Sequence, residues 1–149
     1  MFSNSASAHI TGSKYYPTID GFVTFKEEGS QGVLVTAKIN GLPSSNTCSG
    51  RFFGFHIHEG TSCSGNDNDE FANVKSHLNP TNCPHPLHMG DLPPLIENNG
   101  YAYMSVLVNK FTISDILGRV IVIHDLPDDF VSQPSGNSGV KIACGKIEI

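Results

Sequence analysis

Apolar and polar residues alternate in short runs along this chain, and Gly, Pro, Asn or Ser interrupts almost every run. The clearest run is 32–40, where Val33, Val35, Ala37 and Ile39 share one side, the two-residue period of a strand with one face in a core. Similar runs, rich in Val, Ile, Phe, Tyr and Thr, lie at 21–27, 51–58, 101–108, 118–124 and 140–149, with shorter candidates at 9–15 and 111–113. Nothing between them has the period of a crossover helix, so roughly eight strands predict an all-β, antiparallel sandwich or flattened barrel. Two stretches lack any apolar period: the long one between His58 and Tyr101, dense in Asn, Asp, Pro, Gly and Ser, and the shorter one from Asp125 to Gly139. A loop as long as the first, inside a compact domain, implies that function orders it.

A length of 149 residues suits one domain, 1–149, with a core large enough to fold without metal, so a metal here needs a role beyond holding the fold. Fifteen glycines and nine prolines fit a turn-rich β protein. Nine Lys and Arg against fourteen Asp and Glu give a net charge of -5, and no basic tract offers itself to nucleic acid or anionic lipid. No apolar run approaches bilayer length, and the start, MFSNSASAHITGSKYY, lacks the basic head and apolar stretch of a secretory signal. The expectation is a soluble protein, cytoplasmic, or extracytoplasmic if a signal has been removed.

Six of the seven histidines fall in three clusters, His56 with His58, His77 to His88, and His124, and Asp91 closes the middle one. Neutral imidazole is the commonest metal ligand, so this density points to a metal protein with two metals. His56 and His58 are two apart in a predicted strand and leave one face while Phe53, Phe55 and Ile57 take the other; Gly54 leaves room on the histidine side. With His77 from the long loop and His124 ending another strand, they make a four-nitrogen set, which favours copper(II). His77, His85, His88 and Asp91 make a mixed nitrogen and oxygen set, which suits tetrahedral zinc. His77 counts in both because an imidazole that loses both ring protons can bridge two cations.

GFHIHE at 54–59, HLNP at 77–80, HMGDL at 88–92, GRVIVIHDLPDD at 118–129 and GNSGVKIACGKI at 136–147 together resemble the copper/zinc superoxide dismutases, from about Tyr16 to the C-terminus. The resemblance implies an eight-stranded antiparallel Greek-key barrel or immunoglobulin-like sandwich with two long functional loops. It also implies copper on His56, His58, His77 and His124, and zinc on His77, His85, His88 and Asp91. Asp128 resembles the aspartate that accepts hydrogen bonds from a histidine at each metal. The implied reaction converts superoxide to oxygen and hydrogen peroxide by copper redox cycling, with His77 taking up and returning a proton and zinc holding the loop.

The chain departs from the family at Lys141, where an arginine is usual. Positive charge at the copper mouth is kept but the planar fork is lost, and lysine releases its proton more readily than arginine. Activity is expected to be reduced, and to decline at lower alkaline pH than in a Lys141→Arg variant. The segment between His85 and His88 is shortened, and the stretch after Asp129 lacks the usual charged cluster, so steering of the anion is weaker or differently organised.

Four cysteines allow three pairings. The resemblance selects Cys63 with Cys144, which leaves Cys48 with Cys83 as a second disulfide; the rival use of Cys83 as a zinc ligand beside His85 competes with four better donors. The alternative to an enzyme is a zinc- or copper-binding protein of the same fold with little turnover, or a sandwich that uses metal for stability alone. A homodimer is open, with Leu42, Phe52, Ile113 and Ile149 available to an interface or to the core.

Overall fold

Strand alternation becomes a curled antiparallel sheet with a small second one beside it in the computed structural model, which describes residues 3–149. Nine strands follow one another: β1 (Ser5–Gly12), β2 (Asp20–Glu27), β3 (Val33–Asn40), β4 (Phe52–Phe53), β5 (Phe55–His58), β6 (Leu95–Ile96), β7 (Ala102–Val108), β8 (Val120–His124) and β9 (Lys141–Glu148). Seven form the main sheet in the order β5-β8-β9-β1-β2-β3-β7, and β4 pairs with β6 in a small second one. The chain crosses from β3 at one side to β5 at the far edge, returns to β7, and crosses again to β8, which is the Greek-key habit of a curled antiparallel sheet. The protein is therefore all-β, a half-barrel.

The two-residue period decides which side faces inward. Val23 and Phe25 of β2, Val35, Ala37 and Ile39 of β3, and Ile10 of β1 are buried in one cluster with Phe53, Phe55, Ile57 and Leu95. β5 and β8 are buried on both faces: the core covers one side of each, while the other side of β5 carries His56 and His58 and that of β8 packs Val120 and Val122 against Phe71, Val74 and Cys144 before ending at His124.

Some boundaries differ from the sequence pattern. The expected short strand at 9–15 is the long β1, which begins at Ser5 and is held along its length by β2 and β9. The run at 51–58 is broken at Gly54 into β4 and β5. The candidate at 111–113 gives way to a helical turn, α1 (Ile113–Ile116), because the Asp115 carboxylate accepts the Thr112 N–H at 2.7 Å and its hydroxyl at 2.9 Å, a local cap that outcompetes strand pairing. Of the apolar residues left open for an interface, Leu42 and Ile113 are core, while Phe52 and Ile149 are exposed. No helix among the described residues is long and apolar enough to cross a membrane.

Candidate metal centre

β5 lies at an edge of the sheet, and its free side is where the long loop attaches. The Leu78 N–H donates to the Ile57 carbonyl at 2.9 Å, Ile57 N–H to Gly90 at 2.8 Å, and Glu59 N–H to Ser76 at 2.8 Å. These bonds set His77 opposite His58 and Asp91 opposite His56. His124 arrives from β8, where a register irregularity between Ile123 and His124 lets its N–H donate to the Gly54 carbonyl at 2.8 Å. The space beside Gly54 is taken by Ser138 and the His56 ring, so a Cβ there would collide.

The two predicted sets converge. His56, His58, His77 and His124 each turn one nitrogen into a shared space with the four donor atoms within 4.8 Å of one another, and His77, His85 and His88 do the same with a carboxylate oxygen of Asp91 as the fourth donor. Outer hydrogen bonds fix the tautomers. His58 Nδ1 donates to the Lys75 carbonyl at 2.8 Å and His124 Nδ1 to the Gly139 carbonyl at 3.2 Å. Asp128 accepts from His56 Nε2 at 2.7 Å and from His85 Nε2 at 2.8 Å, one oxygen each. With those protons assigned, the Nε2 lone pairs of His58 and His124 face each other at 3.3 Å.

His56 Nδ1, His77 Nε2 and His85 Nδ1 are buried without a hydrogen-bond partner. His85 Nδ1 lies 3.0 Å from Asp91 Oδ2, but off the N–H direction. Each such atom costs about 1–3 kcal/mol when unsatisfied, and facing lone pairs repel. A cation in each space removes both penalties, so the residues fit two metal ions: one among four nitrogens, the other among three nitrogens and a carboxylate.

Charge follows the same logic. Burial drives His56 down to about 4 and His124 to about 3, and holds His58 well below the ordinary imidazole value, so all three stay neutral and keep their lone pairs. His88 is also lowered, first by burial and then by His77, against the pull of Asp91. Burial opposes the charge on Asp91 and Asp128, but hydrogen bonds from His77 to the first and from His56 and His85 to the second outweigh it and keep both carboxylates ionised.

A cavity of about 500 Å³ opens onto His58, His77 and His124, with Lys75, Lys141 and Glu59 in its walls. Lys141 is at the mouth, yet its ammonium is bound to Asp69 Oδ2 at 2.7 Å. Lys75, unmarked in the sequence pattern, contributes both its carbonyl to His58 and a second cation to the wall. Gly136 opens the 136–147 motif, but the motif does not reveal its role. Its φ is +70°, and a Cβ there would run into Asp128 Oδ1 and His85 Nε2, so only glycine admits the Asp128 bridge. Gln133 brackets His85, accepting its N–H at 2.8 Å and donating to its carbonyl at 2.7 Å.

Cys63 and Cys144 form a disulfide that ties the long loop to β9. The expected pairing of Cys48 with Cys83 is corrected: both are free thiols, Cys48 exposed. Cys83 is instead seated locally, its N–H and carbonyl both bonded to the Asn79 side chain and its Sγ 3.4 Å from the Thr81 hydroxyl. It is absent from both ligand sets.

The profile of the copper/zinc superoxide dismutase (SODC) family matches residues 19–147. The superoxide dismutase-like protein YojM of Bacillus subtilis is 34% identical over 143 residues, covering 85% of this chain and 68% of its own. The Cu-Zn superoxide dismutase of Legionella pneumophila is 31% identical over 151 residues, covering 97% and 86%. Among solved structures, the clock protein EA4 superposes with a TM-score of 0.80 at 29% identity, covering 100% of this chain and 98% of that one.

Proposed function

The chain belongs to the copper/zinc superoxide dismutase family, and on that premise we propose that it is an active dismutase, converting superoxide to oxygen and hydrogen peroxide. Copper among His56, His58, His77 and His124 would supply the one-electron chemistry of both half-reactions, and zinc among His77, His85, His88 and Asp91 a fixed charge behind the shared imidazole. The observation that carries the reading is the double role of His77. Its Nδ1 lies 2.8 Å from Asp91 Oδ1, while its Nε2 is buried and unpartnered on the side of the nitrogen-only set.

The remaining work belongs to the chain. Lys75 and Lys141 give the cavity wall the positive charge that draws a small anion into a protein of net charge -5. His77 Nε2 is a basic nitrogen inside that wall, suited to hold one of the two protons peroxide needs and release it. Asp128, through His56 and His85, keeps the rings from rotating as charge changes.

A second reading, a metal-binding protein with little turnover, is favoured by one contact: the Lys141 ammonium already answers to Asp69, which thins the field at the mouth. Superoxide consumption by protein loaded with copper and zinc, with both metals counted, separates the two. Activity proportional to copper occupancy supports the dismutase; full occupancy with no turnover supports metal binding alone.

A further inference from the structure

Lys110 follows β7 and precedes α1, outside both ligand sets. It is a surface residue, and such a lysine normally leaves its ammonium to water. Here Nζ donates to three backbone carbonyls: Pro86 at 3.3 Å, His88 at 3.1 Å and Asp91 at 2.9 Å. An ammonium has three N–H donors and no acceptor, so its whole capacity is used on one short stretch of chain. That stretch carries His85, His88 and Asp91, three of the four members of the mixed set. Lys110 makes no ion pair among the described residues; the three carbonyl dipoles meet its charge directly, and the Asp91 carboxylate favours it from farther away.

The stretch contains no regular strand or helix, and single contacts shape it: the Gln133 bracket on His85, the Leu87 N–H to the Pro84 carbonyl at 2.7 Å, the Gly90 bonds to Ile57 and Leu78, the Asp91 N–H to the His88 carbonyl at 3.1 Å and the Asp91 Oδ2 contact with the His88 N–H at 3.0 Å. Side-chain bonds of His85 to Asp128 and of Asp91 to His77 add to these. Among the described residues, Lys110 is the one side chain that reaches the backbone of both His88 and Asp91. Ligand residues preset in the binding geometry spare the metal the entropy of ordering them.

We propose that Lys110 is a positioning residue for the zinc-type site, gathering the carbonyls of Pro86, His88 and Asp91 so that the ligands of the 85–91 stretch are in place before the metal arrives. This rests on the reading of His77, His85, His88 and Asp91 as zinc ligands and is independent of dismutase turnover. The ammonium has a second, opposite effect, because a positive charge near a dication repels it. Positioning and repulsion therefore predict opposite signs when Lys110 is removed, and positioning is the larger.

The test is zinc affinity of the metal-free full chain, read by competition with a chromogenic chelator, for the wild type, Lys110→Met and Lys110→Arg, with thermal stability recorded alongside. Lys110→Met is expected to bind zinc roughly tenfold more weakly, the low end for loss of an outer partner because this ammonium is at the surface. Lys110→Arg, which keeps the charge and several donors, is expected to recover most of the loss. Cobalt(II) added in place of zinc should give the intense visible bands of a tetrahedral site in the wild type, and weaker, shifted bands in Lys110→Met.

Zinc affinity unchanged or tightened in Lys110→Met overturns the proposal, even if the variant melts earlier, since a merely structural lysine would move only the melting. If Lys110→Met does not fold, Lys110→Gln takes its place, and wild-type zinc affinity there overturns it equally. A wild-type chain that binds neither zinc nor cobalt removes the zinc-site reading itself.

Discussion

Asp128 is one carboxylate serving two imidazoles, and its chemistry leaves no substitute. Each oxygen accepts one ring N–H, with a further bond to Oδ1 from the Phe130 N–H at 2.8 Å. An asparagine offers one oxygen and sets an NH₂ against the other imidazole's N–H. Asp128→Asn is expected to weaken metal binding roughly 10–100-fold at whichever site loses its acceptor, read by chelator competition for copper and zinc separately; unchanged affinity at both would show that the bridge is dispensable. Asp69 is a different case, since it restrains a charge instead of orienting a ring. Asp69→Asn should free Lys141, raise kcat/KM at low ionic strength by roughly two- to tenfold and steepen its fall with added salt, a gain abolished when Lys141→Met is combined with it. Lys141→Arg should likewise raise the rate and carry activity to higher pH; no change in either would make Lys141 a bystander.

At the scale of elements, the ligands are carried by short strands and an irregular loop that is pinned to them. The disulfide between Cys63 and Cys144, 81 residues apart in sequence, closes the loop onto β9 three residues after Lys141. Cys144→Ser is expected to cost about 2–5 kcal/mol of stability in chemical denaturation, and to lower activity beyond what stability explains because the Asp69 and Lys141 segments lose their tie. A variant of wild-type activity would uncouple the disulfide from the site.

Much of this level was legible in sequence. β2 and β3 announce themselves because each alternates over a half-buried face, and His56 and His58 because the same period puts them together. β6, α1 and the first half of β1 were not legible, since two-residue pairing, a local Thr112–Asp115 cap and small residues such as Ala6 and Ala8 carry no period of their own. Lys75, Lys110, Gln133 and Gly136 were hidden for another reason. Their roles are backbone contacts or close approaches across long sequence separations, which no motif spacing records.

At the scale of the whole molecule, the buried histidines make folding depend on pH. His56 and His124 titrate near 4 and 3 in the folded chain, against an ordinary value of 6.5. The unfolded chain therefore takes up protons first as pH falls below about 6.5, and the metal-free protein loses stability progressively down to about pH 3, with the lowered Asp91 and Asp128 adding to the loss at its acid end. The thermal midpoint of metal-free protein should drop steadily from pH 6.5 to 4, while metal-loaded protein holds its midpoint until the ions leave. A flat profile without metal would mean that these rings are not buried as neutral bases.

His77 belongs to both donor groups, so on the proposed reading the two metal sites would be one unit joined through its two ring nitrogens. The measurement that tests this most directly is the electron paramagnetic resonance of protein carrying cobalt(II) in the mixed set and copper(II) in the nitrogen-only set. A shared imidazole couples the two spins, and the copper signal should be lost, returning at full strength when zinc replaces cobalt. A full copper signal beside bound cobalt would contradict the bridge, and with it the observation on which the dismutase reading rests.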